Sequence, residues 1–166
     1  MVGHSKSRRR VIRIGVLADT HVGLLEDIPK KIIDSLSTVD LIVHAGDFTT
    51  REVLDGLNQL AEVKAVQGNM DSSELRTALP VKEILEIGNK RIGITHGSGS
   101  PWGIEDRAKR IFDKDQIDVI IYGHSHQAQN KVSDNIIFFN PGKATNSFGI
   151  LTIEEEVRGE IISSKS

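Results

Sequence analysis

The chain has 166 residues, 38% of them apolar and 4% aromatic, which suits one compact unit built on a single aliphatic core. Its 23 acidic and 21 basic side chains leave a net charge of -2, so the body carries no general electrostatic footprint for nucleic acid. The absence of cysteine excludes disulfides, thiolate zinc sites and cysteine nucleophiles, so any metal must be held by His, Asp, Glu or Asn.

In chain order, "MVGHSKSRRR" reads as a disordered basic arm over residues 1–10, with His4 inert within it. Neither a signal-peptide core nor an apolar run of about 18 residues follows, so a cytoplasmic protein without a membrane span is expected. "VIRIGVLAD" (11–19) reads as a first strand. "DIPKKIIDSLS" (27–37) predicts a helix starting at Asp27 with Pro29 in its first turn and Ile28, Ile32, Ile33 and Leu36 on one face. "DLIVHAGD" (40–47) is a second strand, and "TREVLDGLNQL" (50–60) a second helix capped by Thr49 or Thr50. "EVKAVQGN" (62–69), the short helix "SSELRTAL" (72–79) stopped by Pro80, "RIGITHG" (91–97), the helix "GIEDRAKRIFDKD" (103–115) and "DVIIYGH" (118–124) continue the alternation. Such alternation predicts a largely parallel sheet covered by helices. "NIIFFNPG", "SFGILTI" and "VRGEIISS" are strand-like with little between them, and are expected to pair as hairpins in a second, more antiparallel sheet.

Ligands in open α/β sheets bind outside the carboxyl ends of the strands. Five strand ends here carry side chains able to hold metal: Asp19 and His21, then Asp47, then Asn69 with Asp71 as a further candidate, then His96, then His124 with His126. Each alone has a structural explanation as a cap or turn residue. Four of the six histidines falling at one end of the inferred sheet is harder to explain that way. Oxygen donors mixed with imidazole suit manganese, iron, zinc, cobalt or nickel better than calcium. His44, inside the second strand, reads as a core histidine with its hydrogen bond satisfied. Trp102 and Arg107 read as surface residues, with substrate contact as the alternative.

The ordered blocks "DTH", "GDF", "GNMD", "HGS" and "GHSH" resemble the calcineurin-like metallophosphoesterases, most of all the small YfcE-like phosphodiesterase branch, to which "NPGKATN" (140–146) is also similar. The resemblance implies one metallophosphoesterase domain over 11–163, an α/β fold of two mixed sheets in a sandwich flanked by helices. It implies two divalent transition-metal ions, manganese foremost, with nickel, cobalt, iron or zinc as alternatives. Asp19, His21, Asp47 and His126 would hold the first ion, and Asp47, Asn69, His96 and His124 the second, with Asp47 bridging. Asp47, Asn69 and His96 would also carry catalysis, in which a hydroxide bridging both ions attacks the phosphorus of a small phosphodiester or nucleotide-type substrate. Nucleic acid is an admissible substrate, and a homo-oligomer is compatible with the pattern. Many relatives have His after the Asn of "GN"; Met70 stands there and has no proton to donate. The same resemblance extends to Vps29, a scaffold of this fold that also has a "PWG" turn, so a protein-interaction role with little or no catalysis is the alternative.

Overall fold

The computed structural model describes residues 10–165. The expected arm lies outside them apart from Arg10, which is exposed and pairs with Asp40 at 3.6 Å. Among the described residues, ten strands form two five-stranded mixed sheets. The first sheet contains β1 (Ile12–Leu17), β2 (Leu41–His44), β3 (Glu62–Ala65), β9 (Ser147–Ile153) and β10 (Val157–Ser163), in the order β10-β9-β1-β2-β3. The second contains β4 (Lys82–Ile87), β5 (Lys90–Thr95), β6 (Val119–Ile121), β7 (Gln129–Ser133) and β8 (Ile136–Asn140), in the order β4-β5-β6-β8-β7.

Three expectations are corrected here. The βα alternation does not build one parallel sheet: β1, β2 and β3 are parallel in the first sheet, whereas β5 and β6 are parallel in the second. The C-terminal segments do not form a sheet of their own either. β8 runs parallel to β6, while the β9–β10 hairpin joins the first sheet, where β9 lies antiparallel to β1 with Ile14 opposite Leu151. The helix expected from Asp27 begins later. Leu25–Asp27 is a 3-10 turn and α1 spans Lys30–Leu36, because Pro29 holds Ile28 in extended backbone (ψ 135°). The other helices are α2 (Arg51–Asn58), α3 (Ser73–Ala78) and α4 (Ile104–Ile111). Ser72 caps α3, its hydroxyl accepting from the Leu75 amide at 3.3 Å.

Side-chain alternation places the layers. Ile14 and Val16 of β1 meet Ile92, Ile94, Val119 and Ile121 of the second sheet in the inter-sheet core, whereas Leu17 and Ile42 face outward onto Ile32, Leu36, Val53 and Leu57 of α1 and α2. On the far side, Ile104 and Ala108 of α4, with Phe112 just after it, cover Ile120, Tyr122 and Phe138. The four layers bring the carboxyl ends of β1, β2, β3, β5 and β6 to one edge of the sandwich. No helix among the described residues is long and apolar enough to cross a membrane.

Candidate metal centre

The loops after these strands turn sharply, and five of the seven expected ligands sit in the left-handed region: Asp19 (φ 54°), His21 (51°), Asp47 (66°), His124 (70°) and His126 (64°). Asp and His tolerate that region better than branched residues, but each instance still costs energy that surrounding contacts must repay. The glycines before the ligands allow the loops to converge. A Cβ on Gly46 would lie 2.8 Å from His96 Nδ1, and one on Gly68 would collide with the Asp47 carboxylate.

Asp19 Oδ1 is the focus of one group. It lies 3.8 Å from His21 Nε2, 3.7 Å from His126 Nε2 and 3.9 Å from His96 Nε2. Asp47 Oδ2 spans the two sides, 3.8 Å from His21 Nε2 and 3.2 Å from His96 Nε2. Asn69 Oδ1 approaches His96 Nε2 at 3.0 Å. His124 joins through its ring, edge-on to His96 with centroids 5.2 Å apart. All seven residues therefore meet at one place, although His124 keeps its Nε2 on the Gly99 carbonyl at 2.9 Å.

Two features fit this cluster to a cation. Asp19 Oδ1 and His21 Nε2 are buried and have no hydrogen-bond partner. Ligands about 2.1 Å from a tetrahedral ion stand about 3.4 Å apart, so the spacing around Asp19 needs only a small contraction to enclose one. His96 Nδ1 lies 2.7 Å from the Ala45 carbonyl, to which it donates its proton, so that on binding a cation Nε2, which faces the Asp47 and Asn69 oxygens, can offer its lone pair. Without a cation the charges are in conflict. Burial pushes the Asp19 carboxyl up to about 7, with the Asp47 charge adding to the rise and His96 opposing it. Burial pulls His96 down, but the Asp47 hydrogen bond and the two carboxylate charges leave it above its ordinary value. Asp47 is lowered despite burial, chiefly by its hydrogen bond to His96.

Asp71 is not a ligand in this geometry. Its carboxylate accepts from the amides of Gly68 (2.8 Å), Thr49 (2.8 Å) and Asp47 (3.1 Å), tying the loops after β2 and β3 together. The Met70 amide completes the clasp on Asp47 Oδ1 at 2.7 Å. His44 is a core residue as expected. It is fully buried and stacked on Phe48, and burial holds it down to about 3. It accepts from the Gly46 amide at 3.0 Å and donates to the Thr20 hydroxyl at 3.2 Å, which donates on to the Asp47 carbonyl.

Arg107 does not face a phosphate position, because its guanidinium is spent on the carbonyls of Ser98, Trp102 and Ser100. Asn140 escaped the sequence reading. Fully buried, it donates to the Ser125 hydroxyl at 3.0 Å and the Gly123 carbonyl at 3.4 Å, so it braces the loop bearing both histidines. The only sequence signal for it was the "NPG" turn, through which its side chain accepts from the Gly142 amide.

Residues 12–156 match the family model of the calcineurin-like phosphoesterase superfamily domain. The chain is 41% identical over 159 residues to a probable metallophosphoesterase of Methanocaldococcus jannaschii, a match covering 90% of this chain and 80% of that protein. A solved structure described as a novel archaeal phosphodiesterase is similar at 25% identity with a TM-score of 0.72, covering 91% of this chain and 100% of that one. Vps29 of Entamoeba histolytica, solved in complex with zinc, is similar at 28% identity and a TM-score of 0.71, covering 93% of this chain and 100% of that one.

Proposed function

This chain belongs to the calcineurin-like phosphoesterase superfamily, and from that premise we propose that it is a phosphodiesterase dependent on two divalent metal ions, manganese foremost. Asp19, His21, Asp47 and His126 would hold one ion and Asp47, Asn69, His96 and His124 the other. The observation that carries this reading is the buried, unpartnered Asp19 Oδ1 with three imidazole nitrogens within 3.9 Å. When bound, the ions supply Lewis acidity at the phosphoryl oxygens and the acidified water that attacks phosphorus.

The protein's own part is orientation. Asp47 reaches both sides of the centre with one oxygen while its other oxygen is fixed by the Met70 amide. The Ala45 carbonyl sets the His96 tautomer, and the Gly99 carbonyl leaves His124 Nδ1 for coordination. Asn69 brings a neutral oxygen, which adds a donor without further negative charge near the substrate. Met70, 58% exposed beside this group, gives the leaving oxygen no proton, so esters of acidic alcohols and phenols are the better substrates.

The test is to strip the protein of metal, reload it with Mn²⁺, Co²⁺, Ni²⁺ or Zn²⁺, and measure both stoichiometry and hydrolysis of bis(p-nitrophenyl) phosphate. Two ions per chain and turnover are expected. Asp47→Ala should lower metal occupancy and reduce kcat/KM by at least about a hundredfold, since it removes a ligand from both ions. Binding of metal without hydrolysis of any phosphodiester or phosphomonoester would instead favour the scaffold role suggested by the likeness to Vps29.

A further inference from the structure

A groove of about 690 Å³ runs beside the N-terminal end of α4 and along β7, lined in part by Trp102, Ser125, Gln127 and Gln129. It shares a loop with the candidate centre, because the lining residue Ser125 stands in the chain between His124 and His126, and Gln127 follows them. Trp102 is 86% exposed, although an indole is among the side chains that gain most from burial. Its loop is nonetheless tightly held. Arg107 donates to the carbonyls of Ser98 at 2.8 Å, Trp102 at 3.0 Å and Ser100, while His124 Nε2 holds Gly99. Three residues of chain put the Trp102 Cα no more than about 11 Å from that of Gly99, the residue touching His124.

Four of the five charged side chains lining the groove are paired with one another, the exposed Asp106 being the fifth. Lys131 meets Glu105 and Lys109 meets Asp134, each at 2.5 Å, and the Tyr122 hydroxyl donates to Glu105 at 2.7 Å. An occupant is therefore selected by shape, stacking and neutral hydrogen bonds more than by charge. Gln127 and Gln129 are exposed and present primary amides, which can both donate and accept. A flat ring with mixed donors and acceptors on its edge matches that wall, and an exposed aromatic carried on a held loop offers it a stacking face.

We propose that this groove is a base-binding subsite: a nucleobase stacks on Trp102 and presents its edge to Gln127 and Gln129 while the phosphodiester of the same nucleotide occupies the candidate centre. The subsite rests on the phosphodiesterase reading and names its substrate class as nucleotide esters, in preference to simple alkyl diesters.

Trp102 is the chain's one tryptophan, so intrinsic fluorescence reports on this groove alone. The full chain in Mn²⁺ is titrated with uridine 5′-monophosphate and, separately, ribose 5-phosphate. Saturable quenching by the nucleotide alone is expected; no quenching, or equal quenching by both, overturns the proposal. The readout needs no turnover, so a protein that hydrolysed nothing would sink the phosphodiesterase reading without obscuring this result. Where turnover is present, Trp102→Ala should raise KM for the p-nitrophenyl ester of thymidine 5′-monophosphate about tenfold more than for methyl p-nitrophenyl phosphate, in line with the loss of one stacked base. Equal changes on the two substrates would overturn the subsite.

Discussion

Three backbone amides, those of Asp47, Thr49 and Gly68, converge on the Asp71 carboxylate, so this side chain sets the separation of two ligand-bearing loops without facing the centre. Charge-assisted bonds to a buried carboxylate are each worth about 1.5–3 kcal/mol and do not simply add. Asp71→Ala should therefore destabilise the protein by about 2–4 kcal/mol and weaken metal binding about 10- to 100-fold, read by urea unfolding and metal titration. Asp19 presents the opposite case, a residue that costs stability until a cation arrives. Its folded pKa is raised from 3.8 to about 7, so between those values the metal-free folded protein keeps a proton that the unfolded chain has lost. Stability from this group is full below pH 4, falls as pH rises, and levels off above pH 7. At pH 8 in chelator, Asp19→Asn should melt several degrees above the unmodified protein, and added Mn²⁺ should reverse the order; thermal melts with and without metal check both parts.

Phe139 of β8 joins the two sheets, because its ring lies against two glycines of the opposite sheet. A Cβ on Gly149 would collide with that ring, and one on Gly159 would come within 2.7 Å of it. Phe139→Ala should cost about 3–5 kcal/mol with little change in metal stoichiometry, measured by denaturant midpoint and metal analysis of the folded fraction. The glycine facing in β9 and β10 was not legible beforehand: "SFGILTI" and "VRGEIISS" were read correctly as strands, but nothing in them says which sheet receives them. The parallel run was divided for the same reason, since βα alternation is the same whether the next strand joins the old sheet or starts another. β4 and β7 were missed outright. "KEILEI" is only partly buried and β7 is exposed throughout, so neither has the apolar run or clean alternation that identifies a strand. The grouping of the candidate residues is more legible, because each candidate ligand stands in a short block at a strand end; the clasp by Asp71 and the brace by Asn140 depend on contacts between loops and leave almost no local signal.

At the scale of the whole molecule, the centre stands on a framework whose cores do not need it. The inter-sheet core and the two helix-covered cores are built of apolar side chains and include none of the candidate ligands. Chelation should therefore lower Tm without unfolding the protein, leaving far-UV circular dichroism unchanged at 25 °C; unfolding by chelator alone would show that metal is part of the fold. Reloading should raise Tm with metal concentration, reaching about 2.7 kcal/mol of added stability at a hundred times Kd.

The pairing of β1 with β9, Ile12 opposite Ile153, also bears on the order in which the molecule can be built. Asp19 and His21 lie just beyond β1, yet that strand has both its neighbours only when residues near 150 have docked beside it. Closing so long a loop is slow compared with forming a local helix or hairpin. Asp19 and His21, the earliest of the candidate ligands, are thus among the last to gain a fixed frame, and a growing chain presents them as loose donors well before it presents the assembled candidate centre.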